Sequence, residues 1–172
     1  MRPLEADDDA FILELVNDAD FIRHIGDREV RDLADARRYI EKCRATCDAD
    51  GHGLYRVSLE PGGERAGICG LLRRPYLSDP DIGFAFLPGF RGRGYAFECA
   101  SAVVAHALGP LGMTRILAIV SPANAASIGL LGKIGLVYVR TILPPGERTT
   151  VNLYSSDGTA PEPVSVRGSG AA

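Results

Sequence analysis

The chain has 172 residues, of which 46% are hydrophobic and 24% charged, and a formal net charge of −3. These proportions describe one ordinary globular domain, long enough to bury a core, and the acidic balance gives no overall electrostatic case for nucleic acid or an anionic membrane as partner. No apolar run approaches the roughly 20 residues of a membrane helix and the acidic N-terminus lacks the apolar stretch of a signal peptide, so a cytoplasmic protein is expected.

Residues 2–5 read as the tail of a first strand. Asp7, Asp8 and Asp9 offer N-caps and first-turn acids to a helix with Phe11, Ile12, Leu15 and Val16 at helical spacing. Phe21, Ile22 and Ile25 predict a short second helix that stops at Gly26. Residues 30–47 predict a third, with Leu33, Ala36, Tyr39, Ile40 and Cys43 on one stripe, ended by Asp50-Gly51. The apolar period then falls to two. Leu54, Tyr55, Val57 and Leu59 make a strand, Pro61-Gly62-Gly63 a turn, and residues 66–72 the second strand of an antiparallel hairpin. A loop over residues 75–80 leads to a strand at 82–87 and a helix at 94–108. Residues 113–120 form a strand apolar on both faces. A helix from Asn124 to Lys133 follows Pro122 and is stopped by Gly135. Residues 136–143 and 149–154 close the fold as a hairpin around Pro144-Pro145-Gly146. From Ser155 onward the composition is that of a flexible tail. This order predicts a mixed sheet with helices on both faces.

Cys43, Cys47, Cys69 and Cys99 lack the second Cys or His pair that a zinc site requires, so they read as free thiols and no metal is expected. His24 and His106 stand alone and read as surface or packing residues.

The richest stretch is residues 84–97, where an aromatic strand runs into a glycine turn and then a helix. Such a turn leaves backbone N–H groups unpaired at a helix N-terminus, and with the helix dipole they form an anion site. The turn lacks the Gly-Lys-Ser/Thr of a nucleotide P-loop, and Phe97 stands where a dinucleotide-binding turn has its third glycine. An RNA-contacting patch built on Arg73, Arg74, Arg91 and Arg93 has too few cations on too acidic a chain.

Arg91-Gly92-Arg93-Gly94-Tyr95-Ala96 does resemble the Gln/Arg-x-x-Gly-x-Gly/Ala loop of the GNAT superfamily, the Gcn5-related N-acetyltransferases. A second segment from Asn124 through Ser127 and Leu130 to Gly135-Leu136 resembles that family's Asn-x-x-Ser/Ala-x-x-Leu-x-x-x-Gly-Phe. Arg2-Pro3-Leu4, Gly83-Phe84-Ala85-Phe86 and Glu98 look like the branch containing the ribosomal-protein alanine acetyltransferases. The resemblance covers about residues 2–154, and it implies an α/β (mixed α+β) GNAT fold. Its central, mostly antiparallel sheet would splay between strands 4 and 5, over a domain at 1–154 with the tail at 155–172.

The implied activity is transfer of an acetyl group from acetyl-CoA to a primary amine by direct attack, the amine being a protein N-terminus or a small molecule. Acetyl-CoA and the amine are the implied partners, with no nucleic acid or membrane, and a homodimer is compatible with the family. Residues 92–96 would cradle the pyrophosphate, with Arg91 and Arg93 adding charge at the rim. Phe86 and Leu87 would present backbone to the pantetheine arm and an N–H to the thioester oxygen, with Asn124 beside them. Many relatives place a tyrosine seven residues after the asparagine as general acid, but here that residue is Leu131. Ser127 is then the expected proton donor, with Tyr154 a strand residue of the core. Asp81 is the candidate base, and Glu98 a first-turn acid. The acidic balance suits a cationic acceptor. The departure at Leu131 leaves a second reading open, a GNAT-fold module that holds acyl-CoA without turnover.

Overall fold

Side-chain caps decide where three of the helices begin. In the computed structural model, which describes residues 1–60 and 63–161, Asp18 accepts from the amides of Asp20 and Phe21 and starts α2 (Ala19–His24). Asp32 accepts from Asp35 and starts α3 (Leu33–Asp50), and Asn124 accepts from Ser127 and starts α5 (Ala125–Lys133). The Asp32 cap explains why α3 begins at Leu33 and not at residue 30: Val30 lies in the preceding extended segment, its carbonyl held by Asn17 Nδ2 at 2.8 Å. Gly51, at φ 71°, closes α3 in the left-handed conformation. The remaining helices are α1 (Asp9–Val16) and α4 (Tyr95–Leu108).

Seven strands, β1 (Arg2–Pro3), β2 (Leu54–Ser58), β3 (Arg65–Leu72), β4 (Asp81–Phe86), β5 (Leu117–Val120), β6 (Val137–Ile142) and β7 (Val151–Ser155), form one sheet in the order β1-β2-β3-β4-β5-β7-β6. Every neighbouring pair is antiparallel except β4 and β5. The fold is therefore the mixed, mostly antiparallel α/β architecture expected. β5 starts later than the apolar run at 113–120 suggested, because the Met113 amide turns back to the Ala107 carbonyl at the end of α4.

Period-two alternation divides the apolar residues of the strands between two cores. Cys69, Ile82 and Phe86 face α4 and α5, where Ala100, Val104, Ala107 and Leu131 pack. Ile68 and Leu87 face α1–α3, among Phe11, Ile12, Leu15 and Ile40. Gly67, opposite Phe86 in β3, makes room for that ring: a Cβ there would lie 2.7 Å from Phe86 Cδ1 and 2.4 Å from the Ala85 carbonyl.

The described part of the chain after β7 is tied to the sheet, which corrects the expectation of a flexible tail from Ser155. Ser155 is the last residue of β7 and fully buried. The Ser156 amide donates to the Ile116 carbonyl, its Oγ accepts from the Ile116 amide, and Arg115 reaches Thr159. Residues 162–172, the rest of the expected tail, lie outside the described residues.

One ion cluster staples the N-terminus to the sheet. Asp8 is fully buried and accepts from Arg56 at 2.9 Å, Arg65 at 2.9 Å, Arg2 and the Glu5 amide. Burial alone would raise its carboxyl, but the Glu5 amide, Arg56 and Arg2 outweigh burial and hold it below the ordinary value. A carboxyl lowered by folding adds stability that is present above its unfolded pKa, about 4, and is lost as pH falls through the folded value. Asp8→Asn should cost about 2 kcal/mol at pH 7, discounted from a fully buried pair because Arg2 and Arg65 are part-exposed. It should also flatten the decline of urea-unfolding stability below about pH 4.

Candidate active site

β4 and β5 meet at one register position, Asp81 opposite Leu117, where the Leu117 amide donates to the Pro80 carbonyl at 2.9 Å. Beyond that point the strands part, and an open cleft of about 2070 Å³ runs along the gap, past the glycine turn on one side and α2–α3 on the other.

Strand parity identifies the backbone groups that look into the gap. The Leu87 amide donates to the Ala66 carbonyl of β3 at 2.9 Å, so Leu87 faces away from the gap. Alternation then turns the N–H and C=O of Phe84 and Phe86 toward it. This corrects the expected pair Phe86 and Leu87: the edge presented to a ligand belongs to Phe84 and Phe86.

The turn after β4 has the form an anion needs. Gly92 and Gly94 sit at φ 70° and 90°, a conformation open to glycine at little cost, and Gly94 caps α4 with no side chain in the way. The next amide to find a carbonyl is that of Glu98, bonded to Gly94, and among the described residues the amides of 92–97 have no acceptor. Arg93 lies over the Tyr95 ring at 5.2 Å, at the exposed rim. Ala96 and Phe97 line the cleft.

Arg91 is placed differently from its expected role as a rim charge for phosphate. Its Nε donates to the Phe86 carbonyl at 2.8 Å and its guanidinium ion-pairs with Asp18 and Asp20. It therefore ties the end of β4 to the start of α2 across the cleft. Arg91 and the two amides of the cap outweigh burial and lower the Asp18 carboxyl. The 71 and 73 residues between the partners leave no spacing rule by which the sequence could have shown this contact.

Across the gap, Asn124 and Ser127 both line the cleft. Asn124 Oδ1 accepts the Ser127 amide at 3.0 Å, which fixes the side chain and leaves its Nδ2 donors without a protein partner among the described residues. Ser127 Oγ is likewise unengaged there. Leu131, one turn on, is 1% exposed and packs with Leu136 and Tyr154. Tyr154 itself is a core residue, 5.8 Å from the Tyr138 ring.

Asp81 also lines the cleft, but as an ion-pair partner. Both its oxygens accept Arg74 Nε at 3.0 Å, and it is 1% exposed. Burial pushes its carboxyl up, against the pull of Arg74. With both oxygens engaged, the expected role as base gives way to one of anchoring the start of β4. His24, read from sequence as a surface or packing residue, lines the cleft with Nδ1 buried and unpaired.

The free turn amides, the open edge of Phe84 and Phe86 and the unengaged Asn124 amide form a cradle suited to an acyl-CoA. Residues 1–137 match the acetyltransferase (GNAT) domain family, and the chain belongs to it. It is an acetyl-CoA-dependent N-acetyltransferase. The chain is 27% identical over 145 residues to the uncharacterized protein YkkB of Bacillus subtilis, covering 83% of each. Among solved structures it is similar to an acetyltransferase from Agrobacterium tumefaciens, with 25% identity and a TM-score of 0.76 over 90% of this chain and 87% of the other. It shares its fold, at 16% identity and a TM-score of 0.76, with the Salmonella typhimurium acetyltransferase that modifies the N-terminal serine of ribosomal protein L7/L12, covering 90% and 91% of the two chains.

If Arg91 is a strut, its removal and that of its partner have the same effect. Asn caps helices as well as Asp, so Asp18→Asn removes only the charge. Both Asp18→Asn and Arg91→Gln should weaken the hold on α2 by about 1 kcal/mol and raise its amide exchange about fivefold. Faster α2 exchange in Arg91→Gln alone would place the hold in the Asp20 pair, and unchanged exchange in both variants would refute the strut.

Proposed function

We propose that this chain acetylates a primary amine by direct attack on acetyl-CoA bound along the open edge of β4, the amine being a protein N-terminus or a small molecule. The observation that carries the reading is the coincidence of unpaired turn amides at 92–97 with an unpaired strand edge leading away from them. Acetyl-CoA supplies an acyl carbon activated as a thioester. The amides of 92–96 receive the pyrophosphate, and the glycines let it approach the backbone. The free N–H and C=O of Phe84 pair with the pantetheine amides in the manner of an added strand. Asn124 Nδ2, held in place by the cap, donates to the same arm.

The chemistry needs a neutral amine, a donor for the carbonyl oxygen and a proton for the departing thiolate. The Phe86 N–H, which faces the gap, is the donor. Ser127 Oγ is the proton source for the thiolate, whose ordinary pKa near 8.5 makes that help modest. With Asp81 bound to Arg74, a chain of water molecules in the open cleft takes the proton from the amine. The fold shared with the L7/L12 serine acetyltransferase supports a protein N-terminus as one class of acceptor.

Gly94→Glu should abolish acetyl-CoA binding, because a carboxylate and side chain would occupy the pyrophosphate position, while leaving the fold intact; a Cβ there meets nothing within 4 Å, although φ 90° adds strain. Calorimetric acetyl-CoA affinity equal to that of the parent would refute the assignment of the turn. Ser127→Ala should lower kcat about tenfold, below the usual range for one acid–base group because a thiolate of ordinary pKa leaves readily without a proton, with acetyl-CoA affinity unchanged. An unaltered kcat would transfer the protonation to water.

A further inference from the structure

The acceptor half of the cleft is lined by α2, the segment after it, one face of α3, the β3–β4 loop and the β6–β7 hairpin. Most of its acids are engaged: Asp20 with Arg91, Asp27 with Arg31, Asp35 with Arg38 and Asp81 with Arg74. Among the described residues Arg23, Arg28, Lys42 and Arg73 line this half of the cleft without an ion-pair partner, against only Glu29 and Glu147 of opposite sign. The local balance is thus the reverse of the chain's net charge. At the distances of a binding cleft the local charges count, since a Debye length of about 8 Å screens the rest.

The lip that carries Arg28 is built under strain. Glu29 is the one residue other than glycine at positive φ among those described, at 57°. Asp27 Oδ1 accepts the Glu29 amide at 2.8 Å while its carboxylate grips Arg31, and Asn17 holds the Val30 carbonyl. A left-handed residue of this kind costs about 1 kcal/mol and persists only where its surroundings fix it, which is common at ligand sites. The lip faces α3: burial pushes the Tyr39 hydroxyl and the Cys43 thiol up, the latter to about 11, and the Arg28 charge acts on both in the opposite direction. Lys42 follows Tyr39 by one helical turn on the cleft-lining face, and Arg73 lines the cleft together with Thr46 of that stripe.

We propose that the acceptor is an amine bearing a carboxylate a few bonds away, either a free acidic amino acid or the acidic N-terminus of a peptide. Arg28, Lys42 and Arg73 receive the carboxylate, and Glu29 and Glu147 draw in the ammonium. The inference rests on the acetyl-transfer reading of the cleft, so the test separates binding from turnover. Protein saturated with CoA is titrated calorimetrically with glutamate, an Ala-Glu-Asp-Gly peptide, an Ala-Lys-Arg-Gly peptide and spermidine.

At least one acidic acceptor should bind ten times more tightly than either cationic one, and the glutamate and peptide arms distinguish the two sources. Arg28→Glu with Arg73→Glu should invert the ranking with acetyl-CoA affinity unchanged, and Arg73→Glu alone should narrow it. Tighter binding of spermidine or the basic peptide, no binding of either acidic acceptor, or a ranking unmoved by the reversals overturns the proposal. Thiol release from acetyl-CoA with the same four amines is read in parallel. Acidic ligands that bind but yield no free CoA thiol would uphold the charge selectivity of the cleft and sink the transferase reading on which the acceptor role rests. Acetylation of the cationic amines with no binding of the acidic ones would do the opposite.

Discussion

The site depends on a failure of pairing. A strand inside a sheet satisfies both of its edges, and a buried unpaired amide or carbonyl costs about as much as a lost hydrogen bond. β4 is satisfied by β3 along its whole length but by β5 at a single position. The N–H and C=O of Phe84 and the N–H of Phe86 can remain unpaired only because the cleft keeps them in contact with water, the Phe86 carbonyl being held by Arg91. A ligand with an amide arm replaces that water group for group. The parting of the strands therefore creates the cavity and supplies the donors and acceptors that line it.

The other groups of the site take their places from this opening. The glycine turn begins where β4 ends, so its free amides and the α4 dipole meet a phosphate at the mouth of the same groove. Arg91 then ties the freed end of β4 to the helix across the cleft: one arm holds the last carbonyl of β4, the other holds α2. That carbonyl would otherwise belong to the open edge. Arg91 thus marks where the groove stops receiving strand-like contacts and begins receiving phosphate. The Asp81–Arg74 pair holds the opposite end, at the one register position where β4 and β5 remain joined. An ion pair at each end and glycines where the backbone must turn keep the groove open without a ligand.

The sequence revealed the frame well because the frame is local. Period-two and period-3.6 patterns, the Asp18, Asp32 and Asn124 caps, and Gly51 and Gly135 placed almost every element to within two or three residues. Its errors had physical causes. Val30 is as apolar as a helix residue but is used to bury an extended segment. Residues 113–116 look like strand but turn back on α4. Phe86 and Leu87 cannot share an edge, because adjacent strand residues face opposite ways; parity pairs Phe86 with Phe84, and the Leu87–Ala66 bond shows that this pair faces the gap. The contacts of Arg91 and Asp81 could not be read this way. They depend on tertiary neighbours that no spacing encodes, and an arginine in a phosphate-loop motif gives no sign that two aspartates some seventy residues away hold it first.

The same distinction separates net charge from site charge. The net charge of −3 by itself points to a cationic acceptor. Among the described residues half of the 22 acids are engaged in ion pairs, and most of those around the cleft are among them: Asp8 joins three arginines, and Asp18, Asp20, Asp27, Asp35 and Asp81 each hold one. A carboxylate paired at 3 Å presents little field to a ligand beyond it, because its partner's charge cancels most of it at range. What a substrate meets is the remainder, and around the acceptor half of the cleft the remainder is positive. Specificity in such a protein follows from which charges the fold leaves unpaired and where, a quantity that appears only once the chain is folded.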